Sequence, residues 1–270
     1  YRYAGRLNDA IPLHEKTLET RTQLLGPNHP DTLVSRNNLA LAYQDASRLN
    51  DAIPLFEETL DALTQLLGPN HPHTLHVRNN LALAYQEVGR LNDAIPLFEE
   101  TLKARTRILG PNHPDTLTSR HNLAGAYRYA GRLNDAIPLH EKTLEALTQL
   151  LGPNHPDTLA SSNNLATAYQ EAGRLNNAIP LLEETLKARA QLLGPNHPHT
   201  LITRNNLANA YQDAGRLNAA ILLFKENLEA RARTLRPDHP DTLRSRNNLA
   251  MAYEAAGKPF RPEEQPGASA

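Results

Sequence analysis

The 270-residue chain carries 28 Lys and Arg against 29 Asp and Glu, a formal net charge of -1, and no cysteine. A near-neutral balance argues against a nucleic-acid footprint, and the missing thiols exclude disulfides, thiol nucleophiles, Cys-ligated zinc and iron-sulfur clusters. No apolar run approaches the ~18 residues of a membrane span, and neither a signal pattern nor an initiator Met opens the sequence, so a soluble, cytoplasmic piece of a longer protein is expected.

Self-similarity organises the rest. Gly-Pro-Asn-His-Pro begins at Gly26, Gly68, Gly110, Gly152 and Gly194, spaced by 42 residues, with a degraded copy at Arg236. Tyr1 to Glu19 recurs unchanged as Tyr127 to Glu145, a mark of internal duplication. In chain order the pattern predicts an opening helix of a second type, B, over 7–25, then five A/B helix pairs from Pro30 to Leu235. A closing A helix follows over 240–256, then a disordered tail, 258–270, rich in Pro and Glu. In the first pair, helix A is expected over 30–48 and helix B over 50–67. Pro30 suits a first helical position and Asp31 the positive end of the dipole. The Ser47 position, Gly in every later copy, suits a left-handed end. Asn50 is expected to cap helix B, with Pro54 in or just past its first turn, and Gly68-Pro69 to end it in the same left-handed way. No segment reads as a strand.

The run Asn38-Leu39-Ala40-Leu41-Ala42-Tyr43, followed by the Ser47 position, Ala52 and Leu60, resembles the tetratricopeptide repeat. The 42-residue length and the Leu-Gly-Pro-Asn-His-Pro-Asp-Thr linker are similar to its kinesin light chain variety, as found in bacterial arrays behind STAND-type ATPase modules. The likeness covers residues 1–257 and departs from the common pattern at Arg36, where that pattern has Trp, and at Thr59, where it has Ala. It implies an all-α, right-handed superhelical solenoid of antiparallel helix pairs. It also implies a protein-interaction function, with a peptide or partner protein held in a concave groove lined by A helices.

Comparing copies within the chain separates scaffold from free surface. Leu39, Ala40, Ala42 and Tyr43 recur in all six A helices, as packing positions do. The Val34 position instead becomes His76, Thr118, Ala160, Ile202 and Arg244, and the Leu41 position becomes Leu83, Gly125, Thr167, Asn209 and Met251. The Asp45 position becomes Glu87, Tyr129, Glu171, Asp213 and Ala255. These three positions lie within roughly 40° of one another on a helix, flanked by Asn37, Asn38 and Gln44. Such a face is expected to be a binding groove; the alternative is simple drift of solvent-facing positions, for which the variation at the Phe56 and Leu63 positions of helix B partly argues.

Asn38, Asn80, Asn122, Asn164, Asn206 and Asn248 recur without exception, although Asn is a mediocre helix former. Asn37, Asn79, Asn163 and Asn205 precede four of them, and His121 takes that place in the middle copy. Such amides either pair with the main chain of a bound peptide, as the resemblance implies, or tie neighbouring helices together. Asp45, Glu87, Glu171 and Asp213 make the face acidic, while His121, Arg128 and Tyr129 form a basic and aromatic cluster. The family's acidic-peptide preference rests on basic groove residues that are mostly absent here. A basic or neutral peptide with one acidic or aromatic anchor near that cluster is therefore expected.

The 12 histidines suggest no chemistry. His29 and its counterparts sit one repeat apart, so that three or four cannot share an ion, and are expected to cap helix A or bond the linker. His71, His73 and His76 lack a nearby carboxylate ligand. His14-Glu15 lacks the second His of a helical zinc protease, and Gly-Pro-Asn-His-Pro lacks the glycines of a phosphate loop. The sequence thus predicts no catalytic residue, no metal and no cofactor, and neither nucleic acid nor membrane as partner. Because the chain opens on a B helix and closes on an A helix, head-to-tail self-association is the alternative expectation.

Overall fold

The computed structural model describes residues 7–236 and 238–260, and among these the regular structure is entirely helical. Twelve helices follow in order: α1 (Leu7–Leu25), α2 (Pro30–Asp45), α3 (Leu49–Leu67), α4 (Pro72–Glu87), α5 (Leu91–Leu109) and α6 (Pro114–Tyr129). The rest are α7 (Leu133–Leu151), α8 (Pro156–Glu171), α9 (Leu175–Leu193), α10 (Pro198–Asp213), α11 (Leu217–Thr234) and α12 (Pro240–Ala255). Even-numbered helices are of the A type and odd-numbered of the B type. The tail segment 261–270, expected to be disordered, lies outside the described residues.

The chain divides into two compact units, Tyr1–Leu139 and His140–Ala270. In the first, α1 to α5 each pack on the helix that follows, and the A helices α2, α4 and α6 also touch in succession. In the second, α8 to α11 do the same, with α8 touching α10.

Each element follows from local chemistry. A helices begin at His-Pro and end where Ser47 (φ 58) and Gly89 (φ 77) take the left-handed conformation. Helix B differs from expectation at both ends. It starts at Leu49 behind an N-cap Arg48 that makes no side-chain cap, so Asn50 lies inside the first turn and caps nothing. Pro54, at the sixth helical position, removes only the bond to the Asn50 carbonyl. Gly68 ends the helix at φ 89 and ψ 162, which is not left-handed helical but an extended, positive-φ conformation essentially reserved for Gly. A Cβ there would meet nothing within 4 Å, so the requirement is purely torsional.

The core runs between helix types. Ala40, Ala82, Ala94 and Ala52 are fully buried and let backbones approach, while Phe56 and Phe98 fill the space they leave. The second unit repeats this with Ala208, Ala220, Leu182 and Phe224. The Phe56 and Leu63 positions of helix B are therefore not a drifting surface. Phe56, Phe98, Leu182, Phe224 and His140 are all buried, as are Leu63, Arg105 and Arg189. Their variation lies inside the core, and at the Leu63 position it is mostly compensated.

That compensation is explicit at the Leu63 position. Arg105 donates from Nη1 to the Asp115 carbonyl (3.1 Å) and to Ser119 Oγ (2.8 Å), binding the end of one B helix to the start of the next A helix. Arg21 with Ser35, Arg189 with Thr203 and Arg231 with Ser245 do the same. Where Leu63 replaces the arginine, Val77 replaces the hydroxyl residue. Leu147 lacks this matching change, and the buried Ser161 Oγ has no hydrogen-bond partner.

Candidate functional site

The His-Pro corners place each A helix. The Nδ1 atoms of His29, His71, His113, His155, His197 and His239 each accept the backbone N–H two residues on, at 3.2 Å. An accepting Nδ1 puts the imidazole proton on Nε2. These rings are N-caps, in agreement with the capping expectation. His71 stacks on His73 and His197 on His199, each at 5.3 Å between centroids. Among the described residues no group of three or more His, Asp or Glu is placed to hold a metal ion.

At the other end of helix A, a tyrosine joins three helices. Tyr127 donates to Glu99 of the preceding B helix (2.5 Å), and Arg132 stacks over its ring at 4.3 Å while binding Asp135 at 2.8 Å. Tyr43 with Glu15, Tyr85 with Glu57, Tyr169 with Glu141 and Tyr211 with Glu183 repeat the bond. Burial first, and then the carboxylate acceptor, push Tyr85, Tyr127 and Tyr169 up to about 12. In the last repeat Lys225 stands in the glutamate's place, and the Phe260 ring lies 5.6 Å from Tyr253.

Between these two seams lies the varied face of helix A. Val34, Ile202, Asp45, Glu87, Glu171 and Asp213 are exposed, and Leu41, Leu83, Gly125, Thr167 and Asn209 are half-buried. Tyr129 is 64% exposed, with the Arg128 guanidinium 5.0 Å from its ring centroid. Desolvation first and the Arg128 charge second hold His121 below the ordinary imidazole range; its ring is crowded by neighbours although part of its surface remains open.

The asparagines are tied to one another. In the first unit Asn80 Nδ2 donates to Asn37 Oδ1 (3.1 Å) and Asn122 Nδ2 to Asn79 Oδ1 (3.0 Å). In the second, Asn206 donates to Asn163 (3.2 Å) and Asn248 to Asn205 (2.8 Å). Each bond joins consecutive A helices. Asn37, Asn79, Asn80 and Asn163 are buried, Asn164 is half-buried, and Asn38 is exposed. Two acidic positions have a similar tie: Gln44 Nε2 donates to Glu87 (2.6 Å) and Gln170 Nε2 to Asp213 (2.7 Å). The stitching role is thus present, and one polar atom of each paired amide is already committed to it.

The tetratricopeptide repeat profile matches six overlapping stretches, 1–65, 36–107, 75–149, 121–190, 159–232 and 205–259. The chain belongs to the tetratricopeptide repeat family. Among solved structures, the nearly identical TPR-like repeats of the Podosopora anserina kinesin light chain type are 34% identical, cover 77% of this chain and 99% of their own, and superpose with a TM-score of 0.71. The quorum sensor NprR from B. thuringiensis, in its apo form, is 17% identical over 94% of this chain and 68% of its own (TM-score 0.68). A STAND protein with a tetratricopeptide repeat sensor from Pyrococcus horikoshii is 18% identical over 85% of this chain and 33% of its own (TM-score 0.66). The last two likenesses are of fold alone. No curated protein sequence gives a significant match.

Both departures from the common repeat have a physical reading. Arg120, at the position of the family's Trp, donates to the linker carbonyl of Pro111 at 2.9 Å, as Arg36 does to Pro27 and Arg204 to Pro195, so it fastens the longer linker. Thr59, at the position of Ala, returns its hydroxyl to the Leu55 carbonyl at 2.6 Å and so adds no unpaired group to the core. The chain is a kinesin light chain-like solenoid of helix pairs, the architecture of a protein-interaction module. No helix among the described residues is long and apolar enough to cross a membrane.

Proposed function

We propose that this tetratricopeptide repeat chain binds an extended peptide, or an extended segment of a partner protein, across the faces of its A helices. One observation carries the reading: the positions that change from copy to copy, those of Val34, Leu41 and Asp45, are the ones the packing leaves open or half-open. The start of each A helix is occupied by its His cap and the end of α2, α4, α6, α8 and α10 by a Tyr–Glu bond, and the remaining faces by core. A side-by-side array of variable faces on a fixed scaffold is the arrangement that distinguishes one partner from another.

The amides serve this reading without contradiction. Asn37 offers its Nδ2 and Asn80 its Oδ1 after the bond between them is made, a donor and an acceptor for a peptide backbone. Sensor and scaffold roles in a larger signalling protein fit the company of a quorum sensor and a STAND sensor of like fold.

The test is retention of a diverse peptide pool by the chain during size-exclusion chromatography with light scattering. A retained subset that is lost on joint substitution Leu83→Ala, Glu87→Ala and Tyr129→Ala is the expected result. Retention untouched by these changes would overturn the reading. So would a mass that grows with concentration while no peptide is held, which would favour head-to-tail association.

A further inference from the structure

The arginine staple is missing at one described corner of the first unit, and a space is left there. A cavity of about 310 Å³ opens between α2, the end of α3 and the start of α4. Its floor is apolar and buried, made by Leu33, Leu63 and Val77, and Val34 and Leu67 stand at its walls, 42% and 36% exposed. Asn37, Asn38 and His76 line the side that faces along helix A.

The origin of the space is legible in the neighbouring repeat. Arg105 occupies the position of Leu63 one repeat later, where its guanidinium crosses to the Asp115 carbonyl and Ser119 Oγ. There it also lies close enough to His76, the counterpart of Val34, to help lower that imidazole's pKa after desolvation. Leu63 is shorter by the whole guanidinium group, and Val77 offers no hydroxyl to reach. The corner therefore keeps its fold but not its filling.

We infer that this space is a binding pocket for an uncharged apolar side chain of a peptide ligand that carries Lys or Arg roughly five residues away. The inference rests on the reading of the A-helix faces as a peptide-binding surface. An apolar residue suits the buried Leu33, Leu63 and Val77 floor, where a charged group would be desolvated; Asp31, the one carboxylate of the lining, is exposed. His76, held below the ordinary imidazole range chiefly by burial and then by Arg105 and His73, adds no charge near neutral pH. The polarity of the ligand follows from the helices. From Val34 to Asp45, and from His76 to Glu87, is 11 residues, about 16 Å of helix, or about five residues of extended chain. Exposed Asp45 and Glu87 stand at helix C-termini, where the dipole also favours a cation.

The experiment uses the whole chain and fluorescein-labelled peptides of neutral polar sequence carrying one Leu or Phe and one Arg at spacings of two to eight. Anisotropy should show tightest binding near a spacing of five. The double substitution Leu63→Arg with Val77→Ser rebuilds the staple used at four other corners, so circular dichroism and the urea midpoint should hold while affinity falls by about tenfold or more. Joint Asp45→Lys and Glu87→Lys should move the preference from Arg to Glu at that spacing. Unchanged affinity in the folded staple variant would overturn the pocket, and so would indifference to spacing and charge. If peptides then still depend on Leu83 and Tyr129, the wider reading of the A-helix faces survives that failure. Loss of binding in the staple variant together with loss of fold would also count against the inference, because it rests on the corner accepting either pair.

Discussion

Single residues carry the junctions of this chain, and two kinds can be tested directly. The His caps satisfy a donor that each A helix would otherwise leave unpaired, so His113→Ala should lower stability by about 1 kcal/mol while His113→Asn restores most of it. Urea unfolding of the two variants checks this, and equal losses would refute it. The Tyr–Glu bonds give a pH signature. Tyr85, Tyr127 and Tyr169 sit at about 12 in the folded chain against 10 ordinarily, so folding favours their neutral form. That contribution is complete below pH 10 and disappears as pH rises toward 12, so stability should fall across this window. A variant with all three changed to Phe should show a shallower fall there, measured as the urea midpoint against pH. The caps were readable in the sequence because His precedes Pro in every copy. The Tyr–Glu bonds were not, because the partners stand 28 residues apart on different helices, and only the recurrence of Glu15, Glu57, Glu99, Glu141 and Glu183 hinted at them.

Elements were largely legible, since helix starts, lengths and the A/B alternation follow from Pro, Gly and the repeat itself. Helix B was misread where local signals compete. Asn50 is a good capping residue, but helix B already begins at Leu49, so the chain enters it one residue early. The variation at Leu63 looked like drift because its counterweight, the Val77 position, lies 14 residues on in another helix. A paired reading of those two columns would have found the staple. It follows that Arg105→Leu alone should cost about 1–3 kcal/mol, by removing the donor that Ser119 Oγ and the Asp115 carbonyl share and leaving them only their own bond at 3.0 Å. Adding Ser119→Val should recover part of the loss, as a double-mutant cycle of unfolding free energies would show. Additive losses would mean that the two positions are independent.

At the scale of the whole molecule, α1 to α6 in one unit and α8 to α12 in the other pack almost only on their neighbours in sequence, and the stability of each unit is close to a sum over adjacent interfaces. The asparagine ties belong to this sum, because they link A helices that otherwise touch little. Asn80→Ala leaves the buried Asn37 Oδ1 without its donor and should cost about 1–3 kcal/mol. Hydrogen exchange should place the lost protection in α2 and α4, sparing α10 and α12; a loss spread evenly over the chain would contradict nearest-neighbour stability. The candidate site was only half legible for the same reason. Copy-to-copy variation marked the open face, but whether an amide serves a ligand or the next helix depends on which atoms meet, and no column of letters records that. The interchangeable corner pairs also have an evolutionary consequence. Because Arg with Ser and Leu with Val fit the same backbone, a duplication of the kind recorded by the identical segments at Tyr1 and Tyr127 can relocate an open corner by a multiple of 42 residues in one event. Recombination alone could then set an open corner beside a different copy of the variable A-helix face, with no new point mutation.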